Sequence, residues 1–72
     1  MTEEAYRALM KRLENYSWRL ERPTVGAMSL ATVWSTAGRA FQAIAPAGDD
    51  ALDAAAQRAF AADATQEGRA DA

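Results

Sequence analysis

The chain has 72 residues, which is room for one small domain, and chains near this size bury only about 60% of the surface that the unfolded state exposes. It contains neither cysteine nor histidine, so a disulfide framework, thiolate metal sites and histidine-based catalysis are excluded. Half of the residues are apolar, a quarter are charged and the net charge is −2, a composition typical of a folded domain and not of an intrinsically disordered chain.

The first predicted element is an amphipathic helix from about Glu3 to Glu21. Thr2 has a side chain that can cap the first turn, and the glutamates at 3 and 4 suit the positive end of the helix dipole. Pro23 prevents the helix from continuing. Apolar side chains recur at steps of three and four residues and predict one buried seam, formed by Tyr6, Leu9, Leu13, Tyr16 and Leu20.

A stripe of basic, polar and aromatic side chains lies on the other side of this predicted helix. Because helical spacing brings these side chains together, we predict a basic and aromatic contact surface for an acidic protein, with a nucleic-acid backbone as the alternative partner. A purely structural interpretation is also open, in which other parts of the chain cover the tryptophan and the basic residues are solvated charges. The members of the stripe are Arg7, Lys11, Asn15, Trp18 and Arg22.

The second predicted element is a helix from about Ala27 to Ala45. Thr24 and the residues after it offer a cap and a turn, and Pro46 ends the pattern. Apolar residues at helical spacing predict its buried face, namely Leu30, Val33, Trp34, Ala37, Phe41 and Ile44.

The other side of this second helix is small and nearly uncharged. Arg39 is its single charge, where a solvent-facing helix ordinarily carries several. Ala31, Ser35 and Gly38 lie on one flank, and a glycine inside a helix costs about 1 kcal/mol relative to alanine. The flank therefore predicts close approach of another backbone. That backbone belongs either to a third helix of this chain or to a partner, and these four residues are our second set of candidate partner-binding residues.

The third predicted element is a short, alanine-rich helix from about Ala51 to Ala62. The sequence DDALD at 49–53 resembles the DDxxD motif with which prenyl synthases bind magnesium and diphosphate. Such enzymes need a helical cavity several times larger than this chain can build. Capping of the third helix by Asp49 or Asp50 explains the aspartates instead, so we expect no metal site.

The sequence thus predicts an all-α fold, with a two-helix hairpin, a short third helix and a disordered tail. We expect one helical domain over residues 1–63 and the tail over residues 64–72, which have neither bulk nor period.

No histidine can activate the serines and threonines, and no glycine-rich loop has phosphate-binding spacing. We therefore expect no catalytic residue and no cofactor. The predicted function is a small non-enzymatic protein–protein interaction module, either an accessory, regulatory or inhibitory subunit or a homo-oligomer, with nucleic-acid binding as the alternative. The acidic start of the chain and the absence of an apolar run of about 18 residues predict a cytoplasmic location without membrane contact.

Overall fold

The computed structural model describes residues 1–22 and 27–70, with side chains described through Thr65. Three strands separate two helices, so the fold is α+β and the all-α prediction is wrong. The elements are α1 (Glu3–Arg12), a 3₁₀ turn (Leu13–Asn15), β1 (Ser17–Glu21), β2 (Ser29–Trp34), β3 (Ala40–Ala45) and α2 (Gly48–Ala70). The strands form one antiparallel sheet in the order β1-β2-β3.

The first helix begins as predicted but ends nine residues earlier than predicted, at Arg12 instead of Glu21. The Thr2 hydroxyl caps it by accepting a hydrogen bond from the Ala5 amide at 3.1 Å. Two residues of the predicted seam, Leu9 and Leu13, are buried in the core. The helix therefore has the predicted start and part of the predicted buried face.

The strand β1 replaces the predicted second half of that helix. Tyr16, Trp18 and Leu20 follow one another at steps of two residues, which places them on one side of an extended chain. A helix would point the first two about 200° apart. Large aromatic residues also favour strands, so the period of two, and not the period of 3.6, describes this segment.

The predicted second helix is a β-hairpin, so that prediction is wrong as well. Its centre contains β-branched and aromatic residues, Thr32, Val33 and Trp34, which favour an extended chain. The turn closes where the Ser35 amide donates to the Arg39 carbonyl at 2.8 Å. Gly38 lies within the turn at φ 86°, a left-handed conformation that residues with a side chain rarely adopt. The predicted cap and turn at residues 23–26 lie outside the described residues.

The last helix is present but longer than the 51–62 predicted. Asp49 and Asp50 lie in its first turn, where their charges favour the helix dipole, and the Asp49 carboxylate accepts a hydrogen bond from the Asp50 amide at 2.9 Å. The amino group of Met1 lies 3.7 Å from the Asp49 carboxylate. The helix backbone continues to Ala70, so the predicted end at Ala62 is wrong. The division into a domain over 1–63 and a disordered tail stays a prediction.

Both helices contribute to one core on one face of the sheet. The α2 residues in this core are mostly alanines without exposed surface, and opposite them lie Ala31 and Val33 of β2 and Ala43 of β3. Small side chains on both sides allow a helix to pack closely on a sheet. Of the predicted flank, Ala31 lies in this core. A Cβ added at Gly38 would meet no atom of the described residues within 4 Å, so the close backbone approach predicted there is not made. The core alanines of the helix are Ala51, Ala55, Ala56 and Ala59.

Candidate interaction surface

The five residues of the predicted helical stripe lie on four different segments. Because the chain leaves its helical conformation before Ser17, they do not share one helix face. Arg7 is exposed and pairs with Glu3 of the same helix at 2.7 Å. The nucleic-acid alternative relied on one continuous stripe, and the structure removes that geometric argument. The members are Arg7 and Lys11 on α1, Asn15 in the 3₁₀ turn, Trp18 on β1 and Arg22 directly after β1.

The four residues of the predicted small flank also separate. Ala31 has no exposed surface and lies in the core, so it cannot touch a partner in this fold. Ser35 is buried as well, and its hydroxyl accepts a hydrogen bond from the Arg39 amide at 3.2 Å. Gly38 forms the turn, and the exposed Arg39 places its guanidinium carbon 5.2 Å from the centre of the Phe41 ring.

Three of the nine candidate residues come together at one end of the sheet. Asn15, Ser35 and Gly38 line an open cavity of about 520 Å³ with three other residues. They belong to the 3₁₀ turn and to the β2–β3 turn, so only the strand pairing brings them together. The other three lining residues are Ser17, Trp34 and Thr36.

Thr36 also connects this end of the sheet to α2 through Asp63. The Tyr16 hydroxyl donates to Asp63 Oδ2, and the Thr36 hydroxyl donates to Asp63 Oδ1 at 2.9 Å. The bond from Tyr16 is the main cause that lowers the pKa of Asp63; burial opposes it, and the bonds from Thr36 act in the same direction as Tyr16. One buried carboxylate therefore joins the start of β1, the β2–β3 turn and α2.

Sequence reasoning assigned no role to Asp63. Its partners lie 27 and 47 residues away in the chain, and no local pattern predicts pairs at such separations. A buried acidic side chain is unusual and indicates a specific role, but its burial is known only once the fold is known. The short distance of Tyr16 from Phe60, whose ring centre lies 5.0 Å away at an edge-to-face angle of 77°, shows how tightly this corner is packed.

The face of the sheet opposite the helices is not covered by any element of residues 1–22 and 27–70. We call it the open face. Residues alternate between the two faces of a sheet, and the residues paired in register share one face. Its nine positions are Ser17, Arg19 and Glu21 on β1, Leu30, Thr32 and Trp34 on β2, and Ala40, Gln42 and Ile44 on β3.

Large apolar side chains lie on this open face with few charges. Ile44 is 64% exposed, the half-buried Leu30 lies directly beside it in register, and Trp34 is half-buried at the other end. The two charges of the face neutralise one another, because Arg19 Nε lies 2.7 Å from Glu21 Oε1. The open face is therefore electrically neutral as a whole, with large apolar side chains towards the ends of β2 and β3 and hydrogen-bonded polar side chains in the middle of both strands.

The central strand β2 carries its smaller side chains on the buried side. Ser29, Ala31 and Val33 point to the helices and are at most 2% exposed. Leu30 and Trp34 point to the open face. Burial of large apolar side chains is worth about 1.5–3 kcal/mol each, so a lone domain would gain more from the reverse arrangement. The alanine-rich α2 leaves no room for large residues on its side of the strand.

Two features are absent from the described residues, a cluster of metal-binding side chains and a membrane-spanning helix. No group of three or more acidic side chains in that part of the chain could hold a metal ion. No helix there is long and apolar enough to cross a membrane. Comparison with models of protein families, with characterised proteins and with solved structures gives no match.

Proposed function

We propose that this protein is a small non-enzymatic interaction module that associates with a second copy of itself through the open face. The observation that carries the proposal is the arrangement of β2, whose larger apolar side chains, Leu30 and Trp34, lie on the face without a helix. Covering them removes apolar surface from water without any change in the fold. The cytoplasmic location expected from the sequence is part of this proposal.

The charges of the open face favour a second copy over a strongly charged partner. Arg19 and Glu21 already form an ion pair, so the face offers no unpaired charge to an acidic or basic protein. Two identical faces without net charge can approach one another, because each Arg19 stays paired with the Glu21 of its own copy. A C₂ dimer, in which each copy contributes the same surface, is also the commonest form of homo-oligomer.

The shape of the face permits such a two-fold arrangement. An axis along the row of Arg19, Thr32 and Gln42 would place Leu30 opposite Trp34 of the second copy. The same axis would place Ile44 opposite the small Ala40 of the second copy. Large side chains then meet smaller or flatter ones, as in sheets that pack face to face about 10 Å apart.

The size of the face predicts a reversible dimer. Six-residue strands are roughly 20 Å long and three strands are roughly 14 Å wide. Two such faces measure roughly 560 Å² together in projection. Even with the relief of their side chains they bury less than the 1,200–2,000 Å² of most stable complexes. We therefore expect association in the micromolar range, which suits a regulatory or accessory subunit that changes partners.

Sedimentation velocity over a concentration series tests the proposal. The wild-type protein should move from the 7.8 kDa monomer towards twice that mass between about 10 and 500 µM. Leu30→Lys puts a charge on the central strand, beside Ile44 at the apolar end of the face, and should stay monomeric. Ala8→Lys adds the same charge on the exposed side of α1 and should behave like the wild type. A wild-type protein that stays at the monomer mass throughout contradicts the proposal.

The two tryptophans provide a test that reports on location. Trp34 lies on the open face and Trp18 lies on the other side of the sheet, and they are the only tryptophans. In the Trp18→Phe variant the emission of Trp34 should shift to shorter wavelength as the protein is concentrated. In Trp34→Phe the emission of Trp18 should stay unchanged. A shift confined to Trp18 would assign the contact to a different surface.

A further inference from the structure

The outer edge of β3 is a second surface with unpaired backbone groups. The Ser35 amide donates to the Arg39 carbonyl, so odd-numbered residues here turn their backbone towards β2. In an antiparallel strand the intervening residues turn their N–H and C=O groups away from that neighbour. Ala40, Gln42 and Ile44 therefore present their backbone groups at the edge of the sheet.

This edge lacks the features that usually prevent strand pairing. The strand AFQAIA has no charged side chain and no internal proline, whereas proteins commonly place lysine, proline or a bulge at such edges. The opposite edge strand differs, because β1 contains Arg19 and Glu21. Of the two edges, β3 is thus the one open to another uncharged strand.

One side chain occupies the middle of the β3 edge. Arg58 of α2 donates from Nη1 to the carbonyl of Gln42 at 2.6 Å. This bond stands where the central N–H of an incoming strand would bind. Beside it lies a depression of about 370 Å³ whose lining includes Leu30, Ile44 and Ala54. The edge is therefore held closed at its centre by a single charge-assisted hydrogen bond.

We propose that the β3 edge is a second self-pairing site and that the Arg58 bond keeps it closed. Once the bond is released, β3 pairs antiparallel with β3 of another copy, with Gln42 on the two-fold axis. That register places Ala40 beside Ile44 of the other copy, a small side chain next to a large one. The strand carries no charge, so it is complementary to itself.

This second site differs from the face-to-face dimer in the groups that it joins, since it pairs backbone groups at the β3 edge whereas the face-to-face dimer packs side chains of the open face. Together the two contacts would generate an open-ended assembly, because each copy would then have two different neighbours. The Arg58 bond would limit the protein to closed dimers. Release of the bond, by a competing anion or by substitution, would allow growth.

The first experiment removes the bond in a protein whose open face is disabled. In the Leu30→Lys background, Arg58→Ala should form an edge dimer at a concentration about tenfold lower than Leu30→Lys alone, as expected for losing one charge-assisted bond. Lys11→Ala in that background changes the net charge equally and should have no effect. Equal sedimentation of the three variants overturns the edge site. The wild-type mass tests the open face separately, so the two failures are distinguishable.

The second experiment tests the register. In the Leu30→Lys, Arg58→Ala background, position 42 should face itself across the axis, so Gln42→Lys and Gln42→Glu should each abolish pairing by like-charge repulsion. Mixing the two, with one of them uniformly labelled with ¹⁵N, should restore a heterodimer that native mass spectrometry resolves by mass. Circular dichroism confirms that each variant is folded. Absence of the mixed species from folded variants, or pairing of either variant alone, overturns the proposal.

Discussion

The two faces of this small sheet differ in side-chain size and burial. The covered face holds Ala31 and Val33 without exposed surface, pressed against a helix whose core residues are mostly alanine. The open face holds Leu30, Trp34 and the 64% exposed Ile44. Close packing against the helix, and not side-chain size alone, therefore governs which residues of this sheet are buried.

The comparison also separates stability from interaction. Substitutions on the covered face should change the free energy of unfolding, because no atom there can be added or removed without loss of packing. Equivalent substitutions on the open face should change association and leave the monomer nearly as stable. Matched substitutions of a residue on the covered face and a residue on the open face can therefore distinguish the two effects.

The largest effect is expected for Leu52→Ala on the covered side. Leu52 is 1% exposed, so the substitution leaves a cavity and should lower the free energy of unfolding by about 3 kcal/mol. Urea denaturation at low micromolar concentration measures this loss. The same substitution at the half-buried Leu30 should cost under about 1 kcal/mol. Equal losses at both positions would remove the distinction between the faces.

A somewhat smaller effect is expected from adding atoms to the covered face. Ala31→Leu inserts three carbons between β2 and α2 and should destabilise the protein by about 2 kcal/mol through overpacking. Ala40→Leu adds the same atoms to the exposed side of β3 and should be nearly neutral. Thermal denaturation of both variants gives the comparison. A neutral Ala31→Leu would show that the alanine layer is not tightly packed.

The hydrogen bonds that Asp63 accepts on the covered side should contribute less to the free energy of unfolding. Asp63→Asn keeps the shape but loses the charge that Tyr16 and Thr36 bind, and should cost about 1.5 kcal/mol at neutral pH. Tyr16→Phe removes the hydroxyl that donates to Asp63 Oδ2 and should reproduce part of this loss. A loss of the same size in the double variant as in Asp63→Asn alone would identify that bond as the shared cause.

The contribution of Asp63 should depend on pH in one direction. Its pKa is lower in the folded protein than the ordinary value of 3.8, so the folded state favours the ionised carboxylate. The stabilisation is therefore complete above the unfolded-state pKa and disappears as the pH falls through the folded-state pKa. Denaturation at a series of acidic pH values should show the gap between wild type and Asp63→Asn closing. A constant gap down to the acid limit would contradict this assignment.

The smallest effect on stability is expected for Ile44→Ser on the open face. Ile44 is 64% exposed, so its replacement removes little buried contact from the monomer. The free energy of unfolding should therefore change by less than about 0.5 kcal/mol at low concentration. The dimer should nevertheless weaken by about tenfold or more, because apolar area at the contact is lost. Sedimentation and denaturation of one preparation test both statements. A large loss of monomer stability would place Ile44 in the core of the isolated domain.

Local signals identified the start of α1 and came within three residues of the start of α2, which is Gly48 instead of Ala51. Thr2 caps α1 as its side chain predicts, and the acidic pair at 49 and 50 lies in the first turn of α2. The near absence of charge between residues 27 and 45 left open whether a third helix or a partner covers the segment. In the structure α2 packs on one of its sides, and Ile44 on the other side is 64% exposed. The same residues fitted a helix because Leu30, Val33, Trp34, Phe41 and Ile44 recur at helical steps.

The two-residue period that indicates a strand was also present in the sequence, but it was weaker than the helical period. Tyr16, Trp18 and Leu20 alternate in a way that only a strand explains, and the β-branched run at 32–33 points the same way. Of the nine candidate residues, Asn15, Ser35 and Gly38 meet at one cavity, whereas Ala31 is buried. Because these residues lie apart in the chain, no local pattern distinguished those that meet at the cavity from the one that is buried.

The start of α1, and the start of α2 to within three residues, could be predicted from the chain alone, because caps and acidic first turns act within a few residues. That residues 27–45 form a hairpin, and which of its sides meets α2, depends on contacts across the whole fold. Strand pairing and the Asp63 contacts join residues far apart in the chain, and such contacts form only when the whole fold brings them together.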